Sequence, residues 1–145
     1  MTALLTPDTL FQMANPLALL GWLALLLSPL APRAADLLAA TVIPLVLAVA
    51  DTGLVLAFSS RAQGGFSSLP EVMLLFTQAP IALAGWLHYL AFDLFVGAWI
   101  ARTARAEGIW HLFVIPCLAL TFLFGPAGYL AFSALRLSLP KRSIA

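Results

Sequence analysis

The sequence predicts an all-α, polytopic membrane protein: a bundle of four transmembrane helices with a short interfacial helix between spans two and three. Three observations carry that expectation. Of the 145 residues, 63% are hydrophobic and only 9% are charged, so most of the chain belongs in lipid. Its apolar stretches are long enough, at ~1.5 Å rise per residue, to cross a hydrocarbon core of ~30 Å. The segments between them carry the Pro, Gly, Ser and charged residues that mark turns.

The whole chain, 1–145, reads as a single membrane domain with spans at about 7–28, 34–60, 80–103 and 109–135. The first span opens on Thr6 as N-cap, with Pro7 at the first helical position and Asp8 in the first turn. Asn15-Pro16 predicts a kink within it, and Pro29 and Pro32 end it. The second span contains Pro44, Asp51 and Gly53. Arg61 to Ser68 reads as a loop, and Leu69-Pro70-Glu71 starts a short apolar helix through Phe76. The third span follows Pro80, and Ala104 to Gly108 form a turn. The fourth span is interrupted by Pro116 and by Gly125-Pro126.

Composition also excludes functions. The net charge is +1 with no basic cluster before Arg136, Lys141 and Arg142, so a nucleic-acid partner is not expected. Cys117 has no CxxC partner, and there are only two histidines, neither at metal-motif spacing. No metal and no cofactor is therefore expected. No phosphate loop, dinucleotide fingerprint or nucleophile motif is present. The first residues carry no positive charge, so the first apolar segment is expected to stay in the protein.

Four spans would place both termini on one side together with the 61–79 connection. Arg61, Arg136, Lys141 and Arg142 would share that side, against Arg33, Arg102 and Arg105. This leans toward cytoplasmic termini, as for a multi-pass protein of a bacterial inner membrane.

The chemistry-bearing segment is Trp86 to Phe95, which sets His88 and Asp93 inside an apolar run. An ionisable group in mid-membrane is costly and normally faces a bundle interior or a cavity. Counted in depth from the side of the termini, Asn15, Asp51, His88 and Pro126 fall in one layer at roughly 12–15 Å. Tyr129 and Glu71 approach that layer from the same face, and Asp93 lies one to two turns deeper than His88. Asp51 with His88 is the expected pair, because an unpaired buried charge keeps its desolvation penalty. His88 and Asp93 differ by about 140° around their helix, so they would line two walls of a longer pocket. The competing reading makes these groups interhelical glue only, with Asp93 in an interhelical hydrogen bond or paired to Arg102. His111, after Trp110, reads as interfacial.

At these residues the sequence resembles the ABA4-like family, named for a plant protein required for neoxanthin formation. The likeness rests on Trp86-Leu-His88, Asp93-Leu-Phe95, Arg102 and Phe124-Gly125-Pro126-Ala-Gly128, with Asp8-Thr-Leu-Phe11 and Leu69-Pro70-Glu71. It covers nearly the whole chain; Asp51 lies outside it and enters on the depth count alone. The resemblance implies a small four-helix membrane protein of carotenoid metabolism. The plant member is linked to isomerising a xanthophyll epoxide to an allene, which needs an acid, a base and no redox cofactor.

Two functions then fit. One is isomerase-like acid–base chemistry on a polyene or xanthophyll epoxide. Its catalytic candidates are His88, Asp93, Asp51 and Glu71, and its substrate-binding candidates Asn15, Trp86, Tyr129 and Arg102. The other is a non-catalytic pigment-binding protein or subunit of a membrane complex. Both call for a lipid-soluble, carotenoid-like partner and membrane lipid, and both are compatible with a homo-oligomer.

Overall fold

The computed structural model describes residues 6–139, and among them every regular element is helical. We number the helices α1 (Pro7–Leu26), α2 (Pro32–Arg61), α3 (Leu69–Phe76), α4 (Ala79–Ala106), α5 (His111–Phe124) and α6 (Pro126–Ser138). Of these, α1, α2 and α4 are long and apolar enough to cross a membrane.

Local sequence sets the boundaries. Thr6 caps α1 by accepting the Thr9 N–H on its hydroxyl at 3.3 Å, with Pro7 at the first position. Helix α1 continues through Pro16. Helix α2 widens into a π turn over Leu38–Val42 just before Pro44. A proline has no N–H to donate and its ring crowds the carbonyl four residues back; the wider turn makes room for it. Ser68 caps α3 through the Glu71 N–H. The Gln78 amide bonds both the N–H and the carbonyl of Gln63, which ties the 62–68 connection to the start of α4.

Helix α4 is the central element. Half of its most apolar stretch is buried, against 11% for α2, so α2 is peripheral and largely exposed. Small buried residues on α4, among them Ala84, Ala91, Gly97, Ala98 and Ala101, let neighbouring backbones approach closely. A Cβ on Gly97 would stand 2.8 Å from the Trp22 ring of α1.

At the Arg105 end of the bundle, three polar contacts fasten the helices. Arg105 reaches both carboxylate oxygens of Asp36 at 2.6 Å. The His111 ring meets the Leu26 carbonyl at 3.0 Å and so satisfies an end carbonyl of α1. Arg136 forks onto Glu107, with Nε donating to Oε2 at 2.8 Å and a second guanidinium N–H donating to Oε1.

That last pair corrects two expectations. The stretch at about 109–135, read as one span interrupted at Pro116 and Gly125-Pro126, is two short helices, α5 and α6, folded back on each other at Gly125. A Cβ on Gly128 would overlap Thr121 and the carbonyl of Cys117. In a straight helix the eleven steps from Cys117 to Gly128 would span ~16 Å. The physical reason is Gly125, whose φ of 48° and ψ of −96° lie outside helical geometry. An L side chain disfavours that conformation and glycine tolerates it. Pro126 then starts α6 with no N–H to leave unpaired. The chain thus returns to the Arg105 end, opposite to Thr6, and the described ends do not share a side. Among the described residues Arg33, Arg102, Arg105 and Arg136 now gather at that end and Arg61 stands at the other. Lys141 and Arg142 lie outside the described residues.

Candidate functional site

Two turns of α4 carry three of the eight candidates, Trp86, His88 and Asp93, and these divide between opposite faces. Residues 86 and 88 point about 160° apart on an ideal helix. His88 faces α2, where its Nδ1 lies 3.7 Å from Oδ2 of Asp51. The two residues expected from depth to pair are thus neighbours, at a separation beyond a direct hydrogen bond. They differ in exposure: the His88 side chain is 59% exposed and that of Asp51 19%. Asp51 is held in the α2–α4 seam, and the imidazole reaches out toward lipid.

The His88 ring stacks on Phe92 at 4.4 Å between centroids. Phe92 in turn lines an apolar groove of about 370 Å³ between α2 and α4, together with Ala40, Pro44, Ala48, Ala91 and Phe95. The groove's small residues on α2 follow from the π turn and Pro44, and its aromatic wall from the spacing of His88, Phe92 and Phe95 on α4. Neither His88 nor Asp51 lines this open groove; His88 adjoins it through its stack on Phe92. An apolar groove with a polar pair beside it suits a long apolar molecule with a polar end group.

The opposite face of α4 is different in kind. The Trp86 N–H donates to Oδ1 of Asn15 at 2.9 Å, and Asn15 donates back to the Phe11 carbonyl at 3.0 Å. Asn15 therefore shares the level of His88 but not its site. Tyr89 donates to the Phe122 carbonyl at 3.4 Å. Asp93 faces the hairpin apex: a Cβ on Gly125 would be 2.8 Å from Asp93 Oδ1. Asp93 Oδ2 is shielded and has no hydrogen-bond partner.

The remaining candidates lie elsewhere. Tyr129 packs on Trp99 at 5.5 Å, about 16 Å along α4 from His88. Arg102 is exposed near the Arg105 end and is three turns or so from Asp93's level. It does not pair with Asp93, whose free oxygen has no partner. The Glu71 carboxylate lies against Gly65 in the 62–68 connection, not over His88. Helix α3 does reach α4, through Phe76 against Gly85. Sequence reasoning missed Tyr89, which bonds the Phe122 carbonyl, and Gly125, beside which Asp93 packs. The available signal was a tyrosine one turn before an aspartate, both in mid-membrane. Among the described residues no three His, Cys, Asp or Glu side chains gather as a metal site would require.

The family model described as ABA DEFICIENT 4-like matches residues 9–132 of this chain. The chain belongs to the ABA4-like family. Searches of curated proteins and of solved structures found no match. The matched range takes in both faces of α4 in this ABA4-like chain, the groove and the hairpin apex, and stops within α6.

Proposed function

We propose that this ABA4-like protein acts within the membrane on a carotenoid or similar polyene, with His88 and Asp51 as its acid–base pair. The observation that carries the reading is the stack of His88 on Phe92, which brings the pair next to the α2–α4 groove. A polyene entering from lipid would lie along Phe92 and Phe95 and bring its oxygenated end ring to His88. Asp51, held at Nδ1, would orient the imidazole and leave Nε2 for the substrate.

For an epoxide substrate, neutral His88 would take a proton from the chain carbon next to the ring. The electron pair left behind forms the new double bond as the C–O bond of the epoxide breaks. The alkoxide then takes a proton back from the imidazolium, so the net change is an isomerisation that neither gains nor loses atoms. Asp93, on the other face and turned to the hairpin, has no place in that proton path. In this reading α3 rests at the membrane interface, and the Arg105 end, which gathers the arginines, faces the cytoplasm.

The test is expression of the chain in cells that accumulate xanthophylls, followed by pigment extraction and comparison with a vector control and with His88→Ala. A new pigment absent from the His88→Ala cells supports catalysis. Unaltered pigment that co-purifies with the protein favours the binding role instead. Neither outcome, with no change in pigment, would sink the polyene reading.

A further inference from the structure

We propose that Arg102 marks a second polar end of the α2–α4 groove, where it holds an oxygen on the non-reacting end of the polyene and fixes the molecule's register against His88. This rests on the polyene reading of the groove and adds the residue that would set its specificity. On α2 the groove residues run from Ala40 to Ala48 and lie between two polar contacts with α4. Ala48 is three residues from Asp51, whose carboxylate is 3.7 Å from His88. Ala40 is four residues from Asp36, which Arg105 holds at 2.6 Å. The two helices thus pass the groove antiparallel, and each end of it has a polar border.

Spacing on α4 continues the groove wall toward the Arg105 end. On an ideal helix His88, Phe92, Phe95, Trp99 and Arg102 fall within about 80° of one another. Three aromatic rings therefore stand between His88 and Arg102 on one stripe, the last of them packed on Tyr129 at 5.5 Å. Neither Trp99 nor Arg102 lines the groove itself, and Arg102 follows two turns beyond Phe95. Arg102 is exposed, and no carboxylate among the described residues pairs with it. Arg105, one turn further on, is already spent on Asp36. Arg102 stands about 21 Å from His88 along the axis, and a helical side chain leans toward the helix N-terminus, here toward the groove. A guanidinium only donates hydrogen bonds, so its partner is an acceptor oxygen, such as that of a hydroxyl or keto end group. A phospholipid phosphate offers acceptors too. Its acyl chain, laid along the groove, would bring a methyl end to His88 and Asp51 and leave them without a polar partner. A molecule with oxygen at both ends satisfies both borders.

The test is binding rather than turnover. The purified full chain in detergent micelles is titrated with three pigments, and quenching of tryptophan fluorescence gives the affinities. Zeaxanthin is hydroxylated at both ends, β-cryptoxanthin at one and β-carotene at neither. The parent should bind zeaxanthin about tenfold more tightly than β-cryptoxanthin, as expected for one hydrogen bond to a charged group. Arg102→Leu should remove that preference, and Arg102→Lys, which keeps a donor, should restore part of it. Should Arg102→Leu not fold, Arg102→Met takes its place in the same measurement. Equal affinity of the parent for zeaxanthin and β-cryptoxanthin, or an Arg102→Leu protein that keeps the preference, overturns the second end and leaves the polyene reading standing. A uniform loss for all three pigments also overturns it, because that assigns Arg102 to packing. So does an Arg102→Leu protein that loses only co-purifying phospholipid, measured as phosphorus. A parent that binds none of the three pigments overturns both this inference and the polyene reading.

Discussion

The two faces of α4 place ionisable groups in the same membrane in opposite ways. On the α2 face, His88 reaches toward lipid beside a groove, with Asp51 tucked behind it. On the other face, Asn15, Trp86 and Tyr89 hydrogen-bond to backbone or to each other, and Asp93 packs beside Gly125 with Oδ2 unpartnered. The difference shows how a mid-membrane polar residue can be read. One whose contacts end on backbone groups of a neighbouring helix is spent on holding that helix. One paired on a single side, with its other side open to an apolar channel, has a donor or acceptor left for a ligand. By that measure Asn15 and Tyr89 are spent on holding helices and His88 is open to a ligand, while Asp93, packed beside Gly125, keeps one oxygen without a partner.

The largest effect should come from filling the hairpin. Gly128→Leu would drive a side chain into Thr121 and the Cys117 carbonyl, and Gly125→Ala would both strain its backbone and crowd Asp93. Strain and overpacking together cost on the order of 3 kcal/mol, so Gly128→Leu should leave little folded protein in size-exclusion profiles. Normal recovery and melting of that variant would mean the two helices do not lie against each other.

Next comes His88→Ala. Loss of a general base typically costs about 10²–10⁴ in rate, whereas an exposed side chain changes stability by only about 0.5 kcal/mol. The expected outcome is a folded protein with product formation near background, and Asp51→Asn should be impaired in the same direction. Asn15→Ala should do the reverse. It removes one hydrogen bond to Trp86, worth about 1 kcal/mol, and should lower the melting midpoint while leaving turnover in place. An inactive but fully stable Asn15→Ala would put both faces into one site and erase the distinction.

Much of this was legible in the sequence wherever local rules or straight-helix geometry apply. The Thr6-Pro7-Asp8 start of α1 is a local pattern, and it is realised as read. Asp51 and His88 meet because both stand on uninterrupted helical stretches, along which counting residues measures depth. The count failed at Gly125-Pro126, which reads equally as a kink or as a reversal. The choice depends on φ at Gly125 and on partners from α4, neither of which is local. Asn15 misled for a second reason: depth says nothing of azimuth, and Trp86 and His88 share a level on opposite faces of one helix. The Asp36–Arg105 and Glu107–Arg136 pairs join residues far apart in sequence, and only the folded arrangement reveals them.

The smallest effect expected is a pH dependence of the hairpin's outer fastening. Hydrogen bonding to Arg136 holds the Glu107 carboxyl below its usual range, against a weaker opposing push from burial. A carboxyl whose folded-state pKa is depressed adds stability that is fully present above its unfolded pKa. That contribution is lost as pH falls through the lower, folded-state value. Glu107 is at the surface, so salt and water screen the pair and the increment is modest. The informative quantity is the difference in melting midpoint between the parent and Glu107→Gln, followed from neutral pH downward in low salt. It should be positive at neutral pH, shrink toward zero in the acid range, and shrink again at neutral pH when salt is added. Because His88 and Asp51 lie on the other face and about 28 Å along α4 from residue 107, the same variant should keep its turnover. A Glu107→Gln protein that melts normally but loses activity would couple the hairpin's closure to the groove, and would break the separation of the two faces.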